Sequence, residues 1–243
     1  MAAVDLPALF KEVTDLLEKD KEFPDGSNRK KAYEMLKEHY SSNTQNYEYL
    51  WRLSRATYLY MQNFMLSDKN RHKELCYEAK GYAFDALALN EDDADVHKWC
   101  AMTLGTSNDY AGTNEKIKNG HAMKHHIDEA LKRRPDERTL HHLLGRWCYN
   151  VAALSWLERK VASALFSTPP ESSYDEALKS FMEAEKLDPD NWKENEFYIA
   201  LCYEQLRDKA KAKEWLQRAE RIPIVSTDDE AADKEIKKLL AKY

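Results

Sequence analysis

The sequence predicts an all-α protein, a right-handed solenoid of tetratricopeptide-like antiparallel helix pairs with lengthened helices and inserted loops, about eleven helices in all. Three observations carry that expectation. The chain holds only 6 Gly and 7 Pro in 243 residues, where average usage gives about 29, so its turns are few and its elements long. Charged residues make up 33% and hydrophobic residues 43% of it, the mixture of amphipathic helices with a solvated outer face. Most specific is a spacing of small and bulky residues that recurs along the chain, the mark of a repeat architecture.

The spacing is clearest at Ala177, Phe181, Ala184 and Pro189. Small residues let neighbouring helices approach, the bulky one fills the groove between them, and Pro ends the helix. Ala79, Ala83 and Ala86 repeat it with Glu91 in the proline slot, and Met123, Ile127, Ala130 and Pro135 repeat it again. Ala212, Leu216 and Ala219 give a fourth copy, with Pro223 one position early. Each copy follows a first helix with its own landmarks: Trp51 and Tyr58, Leu104-Gly105, Leu144-Gly145, and Ile199, Ala200 and Tyr203. The partners are unusually far apart. Gly145 precedes Ala177 by 32 residues and Gly105 precedes Met123 by 18, against about 12 in the consensus. Either the first helices run long or loops are inserted, and insertions in solenoids often map to the binding face.

Taken in order, residues 1–45 read as N-terminal capping helices, 46–226 as about four repeats and 227–243 as a C-terminal capping helix, all in one domain of 1–243. Pro24-Asp25-Gly26-Ser27-Asn28 is a turn into a helix from Lys30 to Tyr40. A long helix begins near Leu140 and stops at Thr168-Pro169-Pro170. Ser173 with Glu176, and Thr227 with Glu230, have the spacing of capping boxes. The last helix, Asp229 to Tyr243, covers the end of the final repeat.

Composition excludes several classes. The net charge is −6 and the isoelectric point about 5.8, which disfavours nucleic acid as a partner. Cys76, Cys100, Cys148 and Cys202 lie far apart, so they read as reduced, buried residues rather than zinc ligands. No apolar run reaches the length of a membrane span, and MAAVDLPALFKEV lacks the basic and apolar regions of a signal peptide. A soluble, cytoplasmic protein is expected. No Gly-rich phosphate loop, G-x-S-x-G or H-E-x-x-H occurs, so neither an enzyme nor a cofactor is expected. His121 and His125 stand at i,i+4 with Glu129 on the same face, but no further ligand follows at a compelling spacing and no metal is expected. Together with His126, His141 and His142, these histidines add a pH-dependent increment to a basic surface.

That surface is one of two candidate sites. Lys116, Lys118, Lys124, Lys132, Arg133 and Arg134 are opposed within their segment only by Asp128 and Glu129. A +4 segment in a −6 chain attracts an acidic partner. Its plainer reading is a solvated helix end whose last cations complement the dipole. The second candidate is the aromatic stretch carrying Arg146, Trp147, Tyr149, Trp156, Arg159 and Lys160. Either it is a central core helix, or it lines an apolar groove for a peptide or lipid chain.

Two segments carry a family resemblance. NDYAGTNEKIKNGHAMKHHIDEAL at 108–131, and HHLLGRWCYNVAALSWLERKVASALFSTPPESSYDEALKSFMEAEKLDP at 141–189, resemble the regulator of microtubule dynamics family. The likeness spans roughly Trp51 to Tyr243. It implies a non-enzymatic tetratricopeptide-like scaffold acting in microtubule dynamics, spindle organisation and chromosome segregation. The implied partners are microtubules, through tubulin's acidic tails, and spindle proteins; the implied places are the cytoskeleton, mitotic spindle and spindle poles. Some members carry an N-terminal anchor, and one binds phospholipid through its helical domain. The first 50 residues here are charged and lack an anchor, which puts the spindle-type reading ahead. Phospholipid binding or transfer, and a peptide-binding adaptor, stand as alternatives. The family has no well-defined catalytic or binding motif, so no residue roles carry over.

Overall fold

The computed structural model describes residues 4–19, 26–165, 170–225 and 227–243. Among them lie twelve α-helices and no strand. The chain divides into two compact units, Met1–Tyr110 and Ala111–Tyr243.

The first unit holds α1 (Leu6–Lys19), α2 (Ser27–Glu38), α3 (Tyr47–Met61), α4 (Lys69–Leu89) and α5 (Ala94–Ser107). α3 packs along α4, α5 adds to α4, and α1 and α2 close the other side of α3. Ala79, Ala83 and Ala86 are fully buried at the α4 contacts. There the backbones come close enough for Ser54 Oγ to donate to the Ala79 carbonyl at 2.8 Å. A chain poor in Gly and Pro must start its helices by other means, and it uses Asx caps. Asn46, Asp68 and Asp93 accept from the first backbone N–H groups of α3, α4 and α5. Pro24 and Asp25 of the expected first turn lie outside the described residues. Gly26 has φ +76, and α2 starts directly after it, three residues before the expected Lys30. A Cβ at Gly26 would lie 2.4 Å from the side chain of Asn63, whose Nδ2 donates to the Gly26 carbonyl at 2.8 Å.

The second unit holds α6 (Thr113–Arg133), α7 (Arg138–Ala152), α8 (Trp156–Leu165), α9 (Tyr174–Leu187), α10 (Lys193–Gln205), α11 (Lys209–Arg221) and α12 (Thr227–Leu240). α7 pairs with α9 and α10 with α11; α9 packs on α10, and α12 closes on both α10 and α11. The repeat positions Ile127, Ala130, Ala177, Phe181, Ala184, Ala212, Leu216 and Ala219 are all buried. The close approach of α7 to α9 falls at Gly145, where an added Cβ would stand 2.6 Å from the Phe181 ring.

Two expectations change. The long helix from Leu140 is two helices. Ser155 and Glu158 cap α8 reciprocally: Ser155 N donates to Glu158 Oε2 at 2.8 Å, and Glu158 N donates to Ser155 Oγ at 3.3 Å. Arg159 Nη2 closes the end of α7 by donating to the carbonyls of Val151 and Ala152, each at 3.2 Å. A capping box therefore outweighs the apolar continuity of the segment. Thr168 and Pro169 lie outside the described residues. The extra spacing before Ala177 is thus largely an inserted helix, α8, which packs on α6. Nor do the first helices run long: α5 and α7 have 14 and 15 residues, whereas α4 and α6 have 21 each.

The far end is fastened by a buried lysine. Lys193, 1% exposed, donates to the carbonyls of Ala219 (2.8 Å) and Glu220 (3.3 Å) and to Asp233 Oδ1 (3.0 Å). One ammonium so satisfies the end of α11 and holds α12. The expected capping pair of α12 falls on Thr227, whose side chain lies outside the described residues. All four cysteines are buried free thiols. Burial raises them, Cys76 to about 11 and Cys100 and Cys202 to about 12.

Candidate interaction site

The six expected cations lie on α6 and its C-terminal cap, Arg134. They divide into two sets. Lys124 Nζ donates to Asp128 at 2.7 Å and lies 5.4 Å from the centre of the Trp147 ring. Lys132 and Arg133 both pair with Glu129, the latter at 2.9 Å. Hydrogen bonds from these two hold the Glu129 carboxyl down to about 2. The C-terminal end of α6 is therefore largely neutralised by its own acids. Arg134 borders an open depression of about 380 Å³ with Asp136, Glu137, Arg138 and Leu187, a lining of mixed charge that selects no ligand class. Lys116 and Lys118 are exposed, and no ion pair holds either among the described residues.

The aromatic set does not line one groove. Trp147 is 7% exposed, sealed between α7 and α6, and its Nε1 donates to the Gly120 carbonyl at 2.7 Å. Trp156 is 69% exposed at the start of α8, with Lys160 Nζ 3.8 Å from its ring centre. Arg159 is occupied with the end of α7. Arg146 Nη1 donates to Glu194 at 2.7 Å and stacks 5.0 Å from the centre of the Tyr198 ring. Tyr149 contacts Tyr174 and Tyr198 edge-on. Of the five histidines expected on the basic surface, His126 and His142 are buried, at 5% and 3% exposed. His125 contacts His126 ring to ring, and Glu129 is engaged by its cations. Among the described residues His121, His125 and Glu129 form no ligand set.

Two networks escaped sequence reasoning. His142 stacks on Trp192 at 4.1 Å and meets Phe181 edge-on at 5.3 Å. Its Nδ1 is 3.0 Å from Asn195 Oδ1, and Nε2 lies 3.6 Å from Glu194. Burial would raise Glu194, but the contacts with His142 and Arg146 prevail and hold it low. In the second network, Arg218 Nη2 reaches three carboxylates: Asp190 (2.8 Å), Glu185 (3.0 Å) and Glu196 (3.3 Å). Glu196 is fully buried. Burial first, then the Glu185 charge, pushes its carboxyl well above the ordinary carboxylate range. These three acids have the spacing of a metal set. The guanidinium already supplies the cation there, so the donor set does not fit a metal. The acids come from two helices and the turn between them, and no sequence spacing announces such a meeting.

Residues 12–243 match the family model described as regulator of microtubule dynamics protein 1-3. The chain belongs to this family. A regulator of microtubule dynamics protein 1 from Bos taurus is 36% identical over 232 residues, 96% of this chain and 72% of that protein. A regulator of microtubule dynamics protein 3 from Rattus norvegicus is 33% identical over 232 residues, 95% of this chain and 49% of that protein. The chain thus spans about half the length of that second relative. A thermophilic TPR protein of Thermus thermophilus shares the fold, with a TM-score of 0.56 at 15% identity over 95% of this chain and 97% of that one. In this regulator of microtubule dynamics chain, the two segments that carry the family resemblance map onto α6 and onto α7 to α9. Those elements hold both candidate sets of residues. Among the described residues no helix is long and apolar enough to cross a membrane.

Proposed function

We propose that the chain is a non-enzymatic helical-repeat scaffold that associates with microtubules and acts in their dynamics, with roles in spindle organisation and chromosome segregation. The observation that carries this reading is membership, over residues 12–243, of a family named for regulating microtubule dynamics. The physical support is local charge. An acidic chain, net −6, keeps exposed lysines on α6, and tubulin's acidic tails are the matching surface. Cytoskeleton and spindle are the corresponding places, and spindle proteins the further partners. Microtubule co-sedimentation across a salt series tests it, with tail-cleaved tubulin as the comparison. Binding is expected to weaken steeply with salt and to fall on tail removal. Equal pelleting at low and high salt, or with and without tails, would dismiss the electrostatic contact. Phospholipid binding or transfer is the alternative, and it would need a groove other than one lined by both Trp147, which is buried, and Trp156, which faces solvent.

A further inference from the structure

α8 wears its apolar residues on the outside. Trp156, Leu157 and Leu165 are 69%, 64% and 37% exposed, and Ala162 is the one buried residue of the helix. Helices of folded proteins ordinarily turn that face inward, and an exposed apolar patch rimmed by polar groups marks an interaction site. α8 also stands outside its neighbours' pairing: it is inserted between α7 and α9, which pack directly on one another, and itself rests on α6. Cations stand round the exposed face. Lys160 Nζ is 3.8 Å from the centre of the Trp156 ring, and the charge of Lys116 acts on Glu158. Lys116 and Lys160 form no ion pair among the described residues, whereas Lys124, Lys132 and Arg133 do.

We propose that the exposed face of α8, with Lys160 and the N-terminal half of α6, is the docking surface for an acidic polypeptide segment that also carries apolar side chains. The inference rests on the microtubule reading and moves the contact away from the C-terminal end of α6. The Lys160 ammonium over the Trp156 ring, with the charge of Lys116 beside Glu158, calls for carboxylates, and Trp156 with Leu157 is an anchor of the size a peptide side chain packs against. A bilayer asks for more. Those two side chains offer less apolar area than one acyl chain, which alone gives only marginal attachment. A second copy seated face to face brings the same cations together across the two-fold axis.

The test uses the full chain with stabilised microtubules, a labelled glutamate-rich peptide containing leucine, and phosphatidylserine vesicles. Three double variants are compared, with circular dichroism to verify their helix content: Trp156→Ala with Leu157→Ser, Lys116→Glu with Lys160→Glu, and Lys132→Glu with Arg133→Glu. The first two are expected to weaken microtubule and peptide binding by about tenfold or more, the second also flattening the salt dependence. The third is expected to change little. If the first two pellet like the parent, the surface is wrong while the microtubule reading stands. If the parent fails to pellet at any salt, the microtubule reading falls, and the peptide decides the surface separately. Peptide binding lost in the first two variants upholds it. Vesicle binding lost in them, with no peptide binding by the parent, overturns it in favour of a lipid surface.

Discussion

At the scale of the residue, single side chains fix how closely elements meet and how they respond to protons. Gly145 stands where α7 crosses α9, and a methyl group there would meet the buried Phe181 ring at 2.6 Å. Gly145→Ala is expected to destabilise by about 1–3 kcal/mol, the usual cost of overpacking. Adding Phe181→Leu should recover part of that loss, as read by chemical denaturation. Glu196 works through charge. Its folded carboxyl titrates above its unfolded one, so the native state binds more protons across that window. Stability is then fully present below the ordinary carboxylate range and is lost as pH rises through the raised value. Arg218, Glu185 and Asp190 face it and set how much is lost. Glu196→Gln, a fixed neutral mimic, is expected to flatten that decline in thermal melts from acid to mildly alkaline pH. An unchanged slope would place the titrating group elsewhere.

At the scale of the element, capping rather than hydrophobicity draws the boundaries. The run from Leu140 reads as one apolar helix, yet Ser155 with Glu158 starts a new one and Arg159 seals the old. The Ser-x-x-Glu spacing is visible in the sequence, but it lies inside a run whose apolar character conceals it. With one buried residue, α8 has little tertiary support. Its amides are expected to exchange with solvent well before those of α9, which buries Ala177, Phe181 and Ala184. Hydrogen exchange of the whole chain measures this, and equal protection would mean that something covers α8. α12 has the opposite character, since Lys193 ties it down from within. Lys193→Met leaves Asp233 without that buried partner and the end of α11 with unmet carbonyls. A loss of about 3 kcal/mol is expected, with partial recovery in Lys193→Met/Asp233→Leu, read by urea unfolding.

At the scale of the whole molecule, the sequence by itself determined the fold class and the family. Both rest on periodic features: small and bulky residues recur at fixed spacing, and the second-helix positions they mark are buried in all four copies. A one-dimensional period survives into three dimensions because it sets which face of each helix meets its neighbour. The sequence also identified the cations of α6 and the tryptophans, but as lists. Only the tertiary structure decided that Glu129 and Asp128 neutralise three of the six cations. It likewise decided that Trp147 is sealed while Trp156 is exposed, and that Arg218 gathers three acids distant from it in the chain. Net charge and residue type are sums over the chain. Whether a charge is available, or an aromatic ring exposed, depends on which distant atoms lie within a few ångströms of it, and that is set only when the helices pack.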